Sequence, residues 1–286
     1  MTRTMLITGA SSGLGIALAV QGAQAGYEVY ATMREPERSG DLDAAVAAAG
    51  VAVKVIALEV TDTASVMAAV TRVINETGRI DVLINNAGVG FARTTEQAAE
   101  ADIDWVMEVN FKGVIRCVKA VLPHMRAARA GRIVTISSVG GLVGQPFNEV
   151  YCASKFAVEG YMEALASYVG PAFGIGFTLI EPGGISSAFA ARAMEQFQAS
   201  GGMIEDEYLP LLQKYLGSRT GRSEGVYQTP NEVAAVVMSA LAMEIAPVRM
   251  RTSSWSEALC DLKTAPDPDG LKLRDKVVAE FLGGLD

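Results

Sequence analysis

A tyrosine and a lysine four residues apart, Tyr151 and Lys155, follow Ser138 by thirteen and seventeen positions. Side chains at i and i+4 share one face of a helix, about 6 Å apart along its axis. A phenol beside a permanent ammonium favours its phenolate, so the spacing predicts a tyrosine pKa below the usual value of about 10. Proton exchange with an alcohol at ordinary pH requires such a shift. A serine hydroxyl aimed at the same point could polarise a carbonyl oxygen where charge develops. The pair alone also describes an amphipathic helix with a snorkelling lysine. The rest of the chain decides between these readings.

A second chemical motif opens the sequence. Thr8-Gly-Ala-Ser-Ser-Gly-Leu-Gly15 follows a short apolar run and leads into a helical pattern. Gly9, Gly13 and Gly15 allow tight turns and close backbone approach, and free N–H groups at a helix start attract phosphate. Ser11, Ser12 and Leu14 complete the turn. Its G-x-x-x-G-x-G spacing differs from the G-x-G-x-x-G dinucleotide fingerprint. At the end of the next expected strand, Val29–Arg34, no carboxylate is present to hold a ribose 2′-hydroxyl. Arg34 offers a planar fork suited to a 2′-phosphate, which predicts NADP(H) rather than NAD(H). Glu35 follows and opposes this, and Arg34 as a solvated surface residue is the plainer alternative.

The elements that must position these groups form a regular series. Expected strands are 4–8, 28–33, 52–58, 82–85, 132–137, 176–180 and, last, 248–251. They are continuous Val/Ile/Leu runs, as in strands buried on both faces of a parallel sheet. Helical patterns cover 13–25, 41–49, 63–76, 96–129, 150–169 and 231–244, with start signals at Thr61-Asp-Thr and Thr229-Pro-Asn-Glu. Alternating strands and helices imply an α/β fold: a single doubly wound (Rossmann-type) domain over 1–286, with a mostly parallel seven-stranded sheet. Residues 187–228 break the rhythm and should form a helical lid over the carboxyl ends of the strands. Its Met194–Met203 stretch could be an adaptable wall for an apolar substrate. Residues 255–286 form a C-terminal extension.

Composition excludes other classes. A net charge of −8 argues against a nucleic-acid partner. Three widely spaced cysteines and a single histidine, His124, leave no expected disulfide framework or metal site. No apolar stretch reaches membrane-spanning length, and 4–8 is too brief for a signal sequence. A reducing cytoplasm fits.

Together these residues resemble the short-chain dehydrogenase/reductase family over roughly residues 3 to 250. Thr8–Gly15 is similar to its cofactor turn, and Asn85-Asn86-Ala87-Gly88 to its motif after the fourth strand. Asn110, Ser138, Tyr151 and Lys155 match its catalytic tetrad. Pro182, Gly183, Ile185 and Ser187 resemble its nicotinamide-side loop, where Val and Thr are more usual. The resemblance assigns Glu59 and Val60 to the adenine, although the family commonly has Asp where Glu59 stands. It also implies that Lys155 binds the nicotinamide ribose and that Asn110 holds a relay water.

Residues 138–160 and 29–34 are similar to the 17-beta-hydroxysteroid/retinol dehydrogenase-like group, which implies a bulky apolar ketone or secondary alcohol. The histidine that the mammalian steroid enzyme uses for the steroid's far oxygen has no counterpart here, His124 lying far earlier in the chain. Phe147 and Phe189 are expected to line the substrate pocket, with Tyr161 and Tyr208 as further candidates. A retinal, aldehyde or 3-oxoacyl reductase is the alternative. An acyl carrier would prefer a basic entrance, for which only Lys214, Arg219 and Arg222 are at hand. A dinucleotide sensor without turnover is the reading from another class. The apolar excess of 96–129 and 150–169 predicts a homodimer or homotetramer.

Overall fold

The computed structural model describes residues 2–219 and 226–282. Residues 220–225 of the expected lid, Arg222 among them, and 283–286 of the tail lie outside the described residues. Seven strands form one parallel sheet: β1 (Thr4–Ile7), β2 (Glu28–Met33), β3 (Lys54–Ala57), β4 (Val82–Asn85), β5 (Gly131–Ile136), β6 (Ile175–Glu181) and β9 (Arg249–Arg251). Their order is β3-β2-β1-β4-β5-β6-β9, so the strands are added in one direction from β1 to β3 and in the other from β4 onward. Two further short strands, β7 (Gly184–Ile185) and β8 (Tyr227–Gln228), pair beside it. The seven expected strands are therefore present, β2 and β4 with the expected bounds and the others differing by a residue or two at an end, while β7 and β8 are too short to leave a pattern.

Alternation along each strand feeds two cores. Leu6, Tyr30, Leu83, Ile133 and Leu179 pack on one face against α3 (Thr63–Thr77), α5 (Gly113–Ala128) and α6 (Glu149–Phe173). Met5, Val29, Ile84, Val134 and Ile180 face the other way, toward α1 (Gly13–Gln24), α2 (Gly40–Ala49) and α9 (Pro230–Ala242). Each fully buried aliphatic side chain contributes about 1.5–3 kcal/mol, so two-sided burial is what holds these short strands. The two start signals act as caps. Asp62 accepts from the Ala64 amide, and Thr229 and Glu232 form a reciprocal capping box.

The long helix expected over 96–129 is interrupted. Helix α4 (Glu100–Met107) passes through a π turn at Glu108–Lys112 before α5 begins. The widened turn carries Asn110 inward, only 1% exposed, where its side chain bonds the Val89 backbone. Helical periodicity cannot reveal a one-residue expansion, because the apolar stripe continues on both sides of it.

Two helices, α7 (Ala188–Ala199) and α8 (Leu209–Arg219), lie where the lid was expected. Phe189 and Ala193 of α7 sit so close to Gly90 that a Cβ there would lie 2.8 Å from the Ala193 methyl. Arg93 fastens the other end. It is 3% exposed and donates to Phe197 O at 2.8 Å, Gly202 O at 2.5 Å and Ser200 Oγ at 2.9 Å, with its guanidinium 4.4 Å from the Phe197 ring centre. Helix C-termini carry unpaired carbonyls and partial negative charge, so a buried arginine with no ion pair among the described residues is stabilised there.

The C-terminal extension packs on the body: α10 (Ser254–Thr264) carries Trp255 onto Gly183, and Leu271 of α11 (Leu271–Leu282) joins the core beside α6. No helix among the described residues is long and apolar enough to cross a membrane. Replacing Arg93 with methionine should speed amide hydrogen exchange in α7 by roughly ten- to a hundredfold, since several bonds to a charged donor are lost. Exchange in β1 and β4 should stay unchanged. Equal protection of α7 in both proteins would contradict the role given to Arg93.

Candidate active site

The first parallel crossover begins with a turn whose glycines have no room for side chains. Gly9 has φ +69°, and a Cβ on it would meet Ala87 Cα at 2.8 Å. A Cβ on Gly15 would lie 2.3 Å from Gly9 O. Asn86 locks the turn by donating from Nδ2 to Thr8 O at 3.0 Å and Gly9 O at 2.9 Å. The Thr8 hydroxyl accepts from the amides of Asn86 and Ala87 at 3.0 and 3.1 Å. Ser12, extended just before α1, makes no side-chain cap bond, so the first amides of that helix stay available to an anion. Glycine cradle, uncapped amides and helix polarity fit a dinucleotide pyrophosphate.

Two residues expected at the adenosine end lie at the carboxyl ends of β2 and β3. Arg34 Nε is 3.7 Å from Glu59 Oε2, with the arginine side chain 77% exposed. An exposed pair of this kind contributes little stability, so Arg34 can turn to another anion at small cost. Glu59 Oε1 accepts from Thr61 N at 3.1 Å, and Val60 is buried against Gly113.

The expected tetrad converges. Asn110 Oδ1 accepts from Val89 N at 2.8 Å, and its Nδ2 donates to Val89 O at 2.9 Å and Ser154 Oγ at 3.1 Å. A Cβ on Gly88 would stand 3.3 Å from Asn110 Oδ1 and 3.8 Å from Lys155 Nζ, so the loop after β4 runs between them. Lys155 is 6% exposed and donates to Ile136 O at 2.9 Å. Ser138 caps a short 3-10 turn, accepting from Gly140 N at 3.0 Å, and its hydroxyl bonds Tyr151.

The electrostatics correct one expectation. Burial pushes the Tyr151 phenol up to about 12, opposed by the Ser138 hydrogen bond. Burial also brings Lys155 down to about 8, opposed by the charge of Glu159. The ammonium lies 5.8 Å from the centre of the tyrosine ring and directs its bond at a strand carbonyl. Desolvation therefore outweighs the cation that was expected to lower the phenol.

Around the tetrad, Val139 N donates to Pro182 O at 3.0 Å, joining the serine turn to the loop of Pro182 and Gly183. Ile185 lies in β7, and Ser187 caps α7 while sitting beside Gly13, whose Cβ would be 3.0 Å from the Ser187 Cβ. Phe189 stands 6.3 Å, centre to centre, from the Tyr151 ring. Phe147 takes φ +61°, strained for a non-glycine residue, and is held by the Arg93 amide on its carbonyl and by contact with Tyr215. It lines a cavity of about 790 Å³ with Tyr208, Leu211 and Lys214, a space that neither Phe189 nor any residue of the tetrad lines.

Tyr161 does not belong to the pocket. It packs edge-on against Phe111 between α6 and the π turn. A larger cleft, about 1040 Å³, is lined by Arg3, Asp81 and Arg132 near the amino ends of the strands, and none of the tetrad lines it. The sequence analysis gave the Thr8 side chain no role of its own and did not single out Arg93. Thr8 is marked only by preceding Gly9, and Arg93 has no pattern at all.

A family model described as short chain dehydrogenase matches residues 3–198. Retinol dehydrogenase 8 of Bos taurus is 40% identical over 274 residues, covering 94% of this chain and 86% of that protein. The 17-beta-hydroxysteroid dehydrogenase type 1 of Homo sapiens is 37% identical over 292 residues, covering 100% and 88%. Among solved structures, an actinorhodin polyketide ketoreductase with NADPH superposes with TM-score 0.75 at 28% identity, over 91% of this chain and 98% of that one. A short chain dehydrogenase/reductase from Burkholderia phymatum in complex with NAD gives TM-score 0.78 at 26% identity, over 96% and 95%. Fold, family model and relatives agree that the chain belongs to the short chain dehydrogenase family, oxidoreductases acting on CH–OH groups with a nicotinamide dinucleotide.

Proposed function

We propose that this protein interconverts a bulky hydrophobic ketone and its secondary alcohol, using NADP(H). The observation that carries the reading is the meeting of Ser138, Tyr151, Lys155 and Asn110 beside the glycine turn. When bound, the reduced nicotinamide supplies a hydride to the carbonyl carbon. Gly9–Gly15 would hold the pyrophosphate, Asn86–Gly88 the adjoining ribose region, and Pro182, Gly183, Ile185 and Ser187 the nicotinamide side.

Tyr151 keeps its proton at neutral pH and donates it to the carbonyl oxygen as that oxygen gains charge. Ser138 donates to the same oxygen and orients it. Lys155, one turn along α6, stabilises the phenolate that donation leaves behind, and Asn110 holds the π turn open beside it for proton resupply. Alcohol oxidation runs these steps in reverse.

Arg34 supports NADP(H) over NAD(H), because its exposed fork can leave Glu59 for a 2′-phosphate. Phe147, Phe189 and the apolar lid support a large apolar substrate, in keeping with relatives named for retinol and for a 17-beta-hydroxysteroid. Trp105, Phe156 and Tyr168 remain exposed on α4 and α6, which supports a homo-oligomer through those helices. The three free cysteines suit the cytoplasm.

Tyr151→Phe should lower kcat by about 10²- to 10⁴-fold, the usual range for a lost general acid, with NADPH affinity within about twofold. Stopped-flow binding and steady-state turnover separate the two effects, and near-normal turnover removes the assigned role. Arg34→Ala should raise the KM for NADPH roughly tenfold and leave that for NADH little changed, as expected for a lost charge-assisted bond. Parallel changes in both constants speak against NADP(H). The pH profile of ketone reduction should be flat through neutrality and fall above about 8, where Lys155 loses its charge. A profile unaffected up to pH 10 contradicts a working Lys155 ammonium.

A further inference from the structure

Behind the serine turn lies a cluster of charges that the reaction above does not use. Glu181, at the end of β6, is 0% exposed. Glu159 follows Lys155 by one turn of α6, and its Oε1 is buried. Glu159 Oε1 and the hydroxyl of Ser137, the residue before Ser138, converge on one point beside Gly141, and the Glu159 and Glu181 carboxyl groups are near enough to interact. Yet Glu159 Oε1, Glu181 Oε1 and Ser137 Oγ each lack a close hydrogen-bond partner among the described residues.

Counting charges shows what is missing. Arg249 pairs with Glu163 at 2.5 Å. Arg251 pairs with Glu181 at 3.0 Å and with Glu257 at 2.6 Å. Two guanidinium groups thus serve three carboxylates; Arg249, whose buried Nε has no hydrogen-bond partner among the described residues, acts on Glu159 only from a distance, and no close ion pair reaches Glu159 among those residues. Lys155 is its nearest cation along the helix, but that ammonium donates to Ile136 O. A buried carboxylate with no close cation is costly, and two facing carboxyl groups relieve the cost by sharing a proton.

We propose that Glu159 is a positioning residue, carrying a proton that it shares with Glu181, and that this neutral contact seats the Ser138 turn on the helix bearing Tyr151 and Lys155. The contact is close. A Cβ on Gly141, the last residue of the turn, would lie 2.8 Å from Ser137 Oγ and 3.0 Å from Glu159 Oε1. Loss of the proton would place two like charges under the turn and a further negative charge one helical turn from Lys155. Burial raises both carboxyl groups above the ordinary range, and the charge of Glu181 raises Glu159 further. Arg249 and Arg251 from β9 oppose this, while Glu257 and Cys260 of α10 complete the surroundings.

The proposal rests on the oxidoreductase reading for its purpose but not for its test. Infrared spectra of the wild-type protein at neutral pH should contain the carbonyl stretch of a protonated carboxylic acid. The band should shift on labelling glutamate with carbon-13 and vanish in Glu159→Gln. A proton held more tightly in the folded state stabilises it at low pH, and that contribution is lost as pH rises through the folded pKa. The melting temperature of Glu159→Gln relative to wild type should therefore increase as pH rises from 5 and level off once the folded pKa is passed.

With an active substrate, Glu159→Ala should lose about tenfold in kcat, on the scale of one buried hydrogen bond, and Glu159→Gln should recover most of it. A wild-type spectrum without the band overturns the shared proton, even if the glutamine variant fails to fold. A band that persists in Glu159→Gln, or a melting difference independent of pH, overturns it as well. Equal activities of the alanine and glutamine variants overturn the positioning role. Failure of NADPH-dependent turnover alone would refute the oxidoreductase reading and leave the spectroscopic result standing.

Discussion

Parallel strands must all end on the same side, and in this protein that side is tied together laterally. Thr8 N donates to Ile84 O, Ser137 N to Ile180 O, and Val139 N to Pro182 O. Asn86 adds its two bonds to the first turn. The loops after β1, β4, β5 and β6 therefore cannot move independently. Each brings one portion of the site: the glycine turn, the Asn86–Gly88 loop, the serine and the Pro182 loop. Secondary structure alone would leave these loops free, and the bonds between them set the distances.

Electrostatics at this edge follow from how dry it is. Tyr151 is driven toward its neutral form and Lys155 toward its own, in opposite directions on the pKa scale, by the same loss of water. The result favours a phenol that gives up its proton only when a developing negative charge is close by. A cation near its titration point is also easily biased by neighbouring charge, which gives the state of Glu159 its leverage.

Much of this was legible in the sequence. Strand identities, the doubly wound class and the two cap signals follow from residue type and spacing, because each depends on local periodicity or on a motif within one element, whereas the full tetrad, spread over three elements, came from the family resemblance. The π turn at Asn110 was not legible, since one extra residue in a helical turn leaves the apolar stripe intact. Arg93 was invisible for another reason: its partners, Phe197, Ser200 and Gly202, lie about a hundred residues away. Helix α10 was passed over because its apolar face is short, although Ser253 caps it and Trp255 anchors it. The direction of the Tyr151 shift was misjudged because burial depth is a tertiary quantity that an i, i+4 spacing does not report.

The small β7–β8 ladder has an effect out of proportion to its two residue pairs. Gly184 lies opposite Tyr227 and Ile185 opposite Gln228, with Ser186 N donating to Gln228 O, so everything between them leaves and rejoins the body at one point. A segment attached in this way behaves as a cassette. Its length and sequence can drift at little entropic cost to the scaffold, since closing a somewhat longer loop adds only a fraction of a kcal/mol. New substrate ranges could then evolve by exchanging the cassette while the proton-transfer apparatus stays fixed.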